Sequence, residues 1–263
     1  MGYATLDAAL GFPNNLPPSK ALITITDCLT SEANFLLHHF LINQLKADKP
    51  VVMVGLSQIF NHYFLIGRKL GINLQTHKQS GQFLFLDGLT HLNNYSDGTP
   101  YPPPKAPTAP SGTLDVKNGA LKEFYKLIQG LITKPGTLLV LDDISVLLYN
   151  GFEARQVAIF IQMLKTLVSS VDGTLVTIMH ADEEGSEDTE QDGFIRSVLY
   201  QSELVFQVQA LNSGLAKDVH GQLDILRGPK YTKLLAVQPQ SMHYKILDNG
   251  VHFFAKGVSQ GVL

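Results

Sequence analysis

The stretch Ala21–Leu45, ALITITDCLTSEANFLLHHFLINQL, decides the fold. Ala21 to Thr26 is apolar on both alternations, as a strand buried on both faces must be, and Ser31 to Leu45 follows with the apolar content of a packed helix. Nucleotide-binding α/β folds open in this order, and the turn between strand and helix is where they cradle phosphate. Here that turn is Asp27-Cys28-Leu29-Thr30, without a glycine or a lysine. A working Walker A loop needs glycines so that backbone N–H groups can wrap the phosphates, a lysine for the β and γ phosphates, and Ser or Thr for magnesium. Thr30 and Ser31 are all that remains of that set. The frame of an NTPase without its phosphate grip points to an assembly subunit.

Working outward, the same strand type recurs at Pro50–Leu56 (PVVMVGL), Gln82–Asp87 (QFLFLD), Thr137–Asp142 (TLLVLD) and Thr174–His180 (TLVTIMH). Between them lie helical stretches at Ser57–Leu70, Leu114–Ile132 and Phe152–Ser169, with Gly71 read as a helix stop and Gly151 as a helix entry. This βαβ series predicts an α/β fold with a mostly parallel central sheet flanked by helices. The last third changes character. Leu204–Leu211, Val219–Leu226, Tyr244–Leu247 and Val251–Ala255 read as antiparallel strands. Asp248-Asn249-Gly250 between the last two supplies an Asn-Gly dipeptide, which predicts a tight hairpin turn with both central residues at positive φ. Residues 1–263 are expected to form one domain. Two segments interrupt it: a Pro-rich insertion at 92–112, holding six of the chain's 13 prolines, and an acidic loop at 181–193 with seven carboxylates and no basic residue.

Composition excludes several function classes. With 263 residues, 44% hydrophobic and 16% charged, the chain has the balance of an ordinary globular domain. A net charge of −3 supplies no global field for nucleic acid, so any such binding needs a local patch or a partner. The single cysteine, Cys28, excludes a disulfide framework within one chain. The opening MGYATLDAALGFPNNLPPSK lacks a basic start followed by an apolar core, and no apolar run approaches the ~20 residues of a membrane span. A soluble intracellular protein with no membrane contact is expected.

Candidate chemistry is sparse. Asp142 and Asp143 end the strand LLVLDD, where a P-loop NTPase holds its magnesium shell, and Asp143 is equally placed to cap the segment after it. Adjacent His38 and His39 point about 100° apart on a helix and cannot ligate jointly. His180 with Asp182 forms an acid/base pair by proximity, without an elbow-type nucleophile. Cys28 sits where a helix N-terminus could activate a thiol, although an inert, partly buried thiol fits it better. Lys217, Arg227 and Lys230 give the segment 211–230 a modest basic edge suited to phosphate or to a partner.

GLAKDVHGQLDILRG (214–228), VLDDISVLL (140–148), FLLHHFL (35–41), QIFNHYFLIGRKLGINL (58–74) and FFAKGVSQGVL (253–263) together resemble the family of the sixth subunit of the Elongator complex. The resemblance covers nearly the whole chain. It implies a RecA-like pseudo-ATPase that lacks Walker A, catalyses nothing, holds no cofactor or metal, and forms a hetero-hexameric ring with the fourth and fifth Elongator subunits. It further implies that the ring binds tRNA and assists the catalytic subcomplex in C5 modification of the wobble uridine, in the cytoplasm and also the nucleus. Lys217, Arg227 and Lys230 become candidates for contact with tRNA or a partner, and Asp142 and Asp143 a degenerate Walker B. The rival is a RecA-like NTP-binding or regulatory protein, such as a recombinase-like one, whose nucleotide site through Asp142 is completed by a neighbouring subunit. A hydrolase using His180 and Asp182 is a third class.

Overall fold

The computed structural model describes residues 2–89, 120–181, 189–211, 218–232 and 237–256. The Pro-rich insertion, most of the acidic run and Lys217 lie outside them. The described strands are β1 (Leu22–Asp27), β2 (Val51–Gly55), β3 (Phe83–Asp87), β4 (Leu138–Leu141), β5 (Thr174–His180), β6 (Leu204–Gln209), β7 (Gly221–Arg227), β8 (Gln240–Leu247) and β9 (Gly250–Ala255). They join one sheet in the order β3-β2-β4-β5-β1-β6-β7-β8-β9. From β3 to β6 every pairing is parallel, and β6 to β9 form an antiparallel meander.

Helices cover both faces: α1 (Ala4–Leu10), α2 (Asn34–Lys46), α3 (Phe60–Lys69), α4 (Leu74–Gln79), α5 (Ala120–Leu131), α6 (Ser145–Tyr149), α7 (Ala154–Ser170) and α8 (Thr189–Leu199). The apolar runs in the parallel strands are explained by this double cover. Val51 and Met53 enter one core with Phe40 of α2, while Val52 and Val54 enter the other with Phe124 of α5 and Phe160 of α7. Among the described residues no helix is long and apolar enough to cross a membrane.

α2 is buried all the way round, from Phe35 to Leu45, because a third layer closes over it. Tyr3 stacks on His39 at 5.7 Å between ring centroids, Asn43 donates to Asp7 at 2.7 Å, and Phe35 packs on Tyr244 of β8 at 4.8 Å. This is why FLLHHFL shows no polar stripe.

Several local readings are corrected. α2 begins at Asn34 rather than Ser31, and α3 at Phe60 rather than Ser57, because carboxylates at strand ends, Asp27 of the preceding β1 and Asp142 just after β4, hold the preceding amides in non-helical turns. Gly151, at φ 85°, follows the end of α6 and stops a helix rather than entering one. The hairpin between β8 and β9 is present, but its two loop residues are Asp248 and Asn249, and neither they nor Gly250 occupy the left-handed region. Thr189 to Gly193, read as acidic loop, open α8 instead. Glu190 and Asp192 lie in its first turn, where the helix dipole favours anions.

Candidate functional site

The carboxyl ends of β1, β2, β4 and β5 converge where an α/β sheet usually holds its ligand. At the end of β1, Asp27 is buried and turns its Oδ2 onto the backbone N–H of Ala33, 2.8 Å away, at the entry to α2. A helix N-terminus attracts an anion, and here the anion is the chain's own carboxylate rather than a phosphate. The rest of the turn is closed in the same way. The Ser31 amide donates to the Cys28 carbonyl at 2.9 Å, Ser31 and Tyr244 share a hydroxyl hydrogen bond of 2.7 Å, and Cys28 Sγ lies 3.2 Å from Thr30 Oγ1. The phosphate-loop position is therefore filled by protein groups of both β1 and β8.

His180 ends β5, beside Asp27 in register. Its Nδ1 is 2.5 Å from Asp27 Oδ1 and its Nε2 is 3.1 Å from Asp143 Oδ2. Hydrogen bonding to Asp143, and then to Asp27, lifts the imidazole to about 10 against the cost of burial. His180 is thus an imidazolium at neutral pH, clamped between two carboxylates and joining three strand ends. Its backbone N–H also donates to Ser145 Oγ at 2.8 Å, while the Ser145 amide donates to Asp143 Oδ1 at 2.8 Å, so Asp143 holds the first amide of α6 from one residue before its N-cap, Ile144.

Asp142 is fully buried and spoken for. Its Oδ1 accepts from the amides of Leu56 (2.6 Å) and Ser57 (3.1 Å), and its Oδ2 from Gln58 N–H (3.0 Å) and the Tyr63 hydroxyl (2.6 Å). Burial pushes the carboxyl upward while these donors, led by Tyr63, pull it back. The Tyr63 hydroxyl is itself raised, first by burial and then by Asp142. In chemical terms the carboxylate organises the β2–α3 connection; it presents no lone pair to a cation from outside. A cleft of about 350 Å³ opens beside His180, lined by Ser145, Tyr149, Phe152, Glu153, Glu190 and Phe194, and no residue of the 27–34 turn borders it.

Of the predicted site residues, Asp143 and His180 are brought together, and Asp142 points away from them into its own donor ring. The pair His180–Asp182 is replaced: both ring nitrogens face Asp27 and Asp143, and Asp182 lies outside the described residues. The hydrolase reading loses its base, because an imidazole held as a cation accepts no proton. Arg227 lies far from this cluster. Its Nε donates to the Val237 carbonyl at 3.0 Å and its guanidinium covers Tyr231 at 4.7 Å, while Lys230 is exposed three residues beyond β7. Sequence reasoning misses Asp27 and Tyr63. A signal for Asp27 exists, since β1 ends in Asp27, β5 ends in His180 and Asp142-Asp143 follow β4 directly, and adjacent parallel strands align their ends.

A family model for Elongation complex protein 6 matches residues 3–248. The chain belongs to this family. Elongator complex protein 6 of Xenopus laevis is 35% identical over 99% of this chain and 100% of its own length. The human family member is 35% identical over 95% of this chain and 97% of its own, and the mouse protein 36% over 93% and 94%. Among solved structures, a KaiC-like protein from Pyrococcus horikoshii OT3 matches with a TM-score of 0.57 and 15% identity, over 90% of this chain and 91% of that one. That likeness shows the fold, which is RecA-like with antiparallel strands added at the carboxyl-terminal end of the sheet order.

Proposed function

We propose that the chain is a non-catalytic subunit of the Elongator complex. In this reading it builds a hetero-hexameric accessory ring with the fourth and fifth subunits, and the ring binds tRNA and supports C5 modification of the wobble uridine. The observation that carries the reading is the end-to-end match, at about 35% identity, to proteins named Elongator complex protein 6. The closed phosphate turn supports it, because a subunit that keeps the RecA frame while filling the nucleotide position with Asp27, His180 and Tyr244 has kept shape rather than catalysis. The engaged oxygens of Asp142 weigh against a shared nucleotide site, which would need that carboxylate for magnesium. Cytoplasm and nucleus are the compartments that follow from this role, and Lys217, Arg227 and Lys230 are its candidate contacts with tRNA or a partner.

Co-expression with the other two ring subunits, followed by native mass measurement, tests the assignment. A hetero-hexamer is expected; a chain that stays a stable monomer in their presence overturns it. Charge reversal at Lys217 and Arg227 should weaken tRNA binding by the ring and lower its salt slope, and unchanged binding removes those residues.

A further inference from the structure

Residues 49–86 contain no aspartate or glutamate, in a chain whose net charge is −3. Within them lie Lys49, Arg68, Lys69 and Lys78, all exposed. The fold gathers these cations at one place. Lys49 leads into β2, Arg68 and Lys69 close α3, and Lys78 lies in the last turn of α4 just before β3. Two further exposed lysines join them: Lys46 in the last turn of α2, and Lys134, which precedes β4 and donates to the Gly81 carbonyl at 2.9 Å. Gln82 ties the group together by donating to the carbonyls of Leu45 (3.0 Å) and Lys49 (3.3 Å), and Gln44 does the same to Gly136 at 2.7 Å. Lys46, Lys49, Lys78 and Lys134 therefore stand at the amino-terminal ends of β2, β3 and β4, with Arg68 and Lys69 at the end of α3 that leads into α4.

Among the described residues of these connections, Asp48 is the one carboxylate. Next along the same end of the sheet, Asp172 is neutralised by Lys20 at 2.9 Å, and Glu203 by Lys165. Arg227 and Lys230 follow at the amino-terminal end of β6. The opposite, carboxyl end carries Asp27, Asp87, Asp142 and Asp143. The molecule is thus polarised across its sheet, with the sign reversed from a phosphate-binding α/β protein. Helix dipoles account for cations at the last turns of α2, α3 and α4, but Lys49 and Lys134 lie on connections outside those helices.

From this placement we infer that the amino-terminal end of β2, β3 and β4 is a binding surface for the sugar–phosphate backbone of nucleic acid. Its chemistry favours that occupant over a protein. Residues 46–50, 68–82 and 132–136 expose no large apolar side chain, whereas protein interfaces bury an apolar core from which lysine is depleted. A polar, densely cationic surface is the composition of a nucleic-acid interface. Arg68 over Phe64 at 5.9 Å and Lys78 over Phe60 at 4.8 Å hold their charges along ring faces, which reduces the rotamer freedom given up on binding. The inference rests on the proposed function for the choice of RNA, and its test does not involve ring assembly.

The test uses the full chain and a fluorescein-labelled single-stranded RNA of mixed sequence, followed by anisotropy across a KCl series, with DNA of the same sequence alongside. The variant Lys49→Gln/Lys69→Gln/Lys78→Gln/Lys134→Gln should lower the salt slope by roughly 3, at ~0.7 for each phosphate no longer neutralised. If that variant does not fold, Lys49→Gln/Lys69→Gln should lower it by about 1.4 on the same scale. Lys122→Gln/Arg155→Gln, at the opposite end, should leave binding unchanged. Equal affinity and slope in parent and variant, an equal loss in the control, or displacement of RNA by poly-glutamate at matched charge would each overturn the assignment, the last in favour of an acidic protein segment. Binding of DNA as tightly as RNA keeps the surface and overturns the choice of RNA.

Discussion

Replacing Asp142 by alanine removes a carboxylate on which four donors depend. The Leu56 amide at 2.6 Å and the Tyr63 hydroxyl at 2.6 Å meet it in a fully buried setting that water does not reach. The Ser57 and Gln58 amides are only partly buried and can be rehydrated. Two stranded donors at about 2 kcal/mol each give a loss of roughly 4 kcal/mol. An unfolding entropy of ~2.1 cal/mol/K per residue over 263 residues is about 0.55 kcal/mol/K, so the melting temperature should fall by roughly 7 °C. Circular-dichroism melting of the parent and Asp142→Ala reads this directly. A carboxylate held ready for a cation behaves the other way, since removing a strained functional group commonly stabilises the fold. An unchanged or raised melting temperature would refute the view of Asp142 as an internal anchor.

Other outcomes follow from the same geometry. The His180 imidazole is raised to about 10 from an ordinary 6.5, so its ion pairs stabilise the fold fully below about 6.5 and are lost as pH climbs through about 10. Melting between pH 6 and 10 should decline more steeply in the parent than in His180→Gln, and parallel profiles would contradict the clamp. Burial depresses His38 to about 4 and His39 to about 3, so both must be neutral in the folded protein, and stability should erode as pH falls from about 6.5 towards 4. Because His38 Nε2 is buried without a hydrogen-bond partner, His38→Leu should flatten that acid limb without lowering stability at pH 7, as denaturant titrations at pH 7 and pH 5 will show. At Gly228 an added Cβ would lie 2.1 Å from the Ser202 carbonyl oxygen. Gly228→Ala should therefore cost about 1–3 kcal/mol, visible as a melting temperature lowered by roughly 2–6 °C.

The strands of the parallel sheet are legible because their chemistry is redundant. TLVTIMH and PVVMVGL are apolar on both alternations, and only a position covered on both faces asks for that. The helix starts are not legible, since side-chain contacts that hydrophobic periodicity does not encode delay them, one from six residues upstream and the other from a distant strand end. Asp27 holds Ala33, and Asp142 holds Ser57 and Gln58 from 85 and 84 residues away. α6 has only five residues, too few to establish a periodicity. At the site, proximity in sequence misleads: it pairs His180 with Asp182, whereas strand register sets His180 against Asp27, 153 residues earlier. The cationic end of the sheet is hidden for a related reason. Its lysines are spread from Lys46 to Lys134, and only the return of each helix to the same end of the sheet collects them.

The layer over α2 joins parts of the chain made at opposite times during synthesis. The Phe253 amide of β9 donates to Thr5 Oγ1 of α1 at 3.0 Å across 248 residues, Gln240 donates to the Ala9 carbonyl at 2.7 Å, and Tyr3 packs on Phe253 at 6.0 Å. On the ribosome, the apolar α2 waits uncovered until the meander has emerged and folded back, which leaves a long interval of exposure to chaperones and to wrong partners. Such late closure makes a folding checkpoint of the meander: a nascent chain halted before Phe253 should remain chaperone-bound.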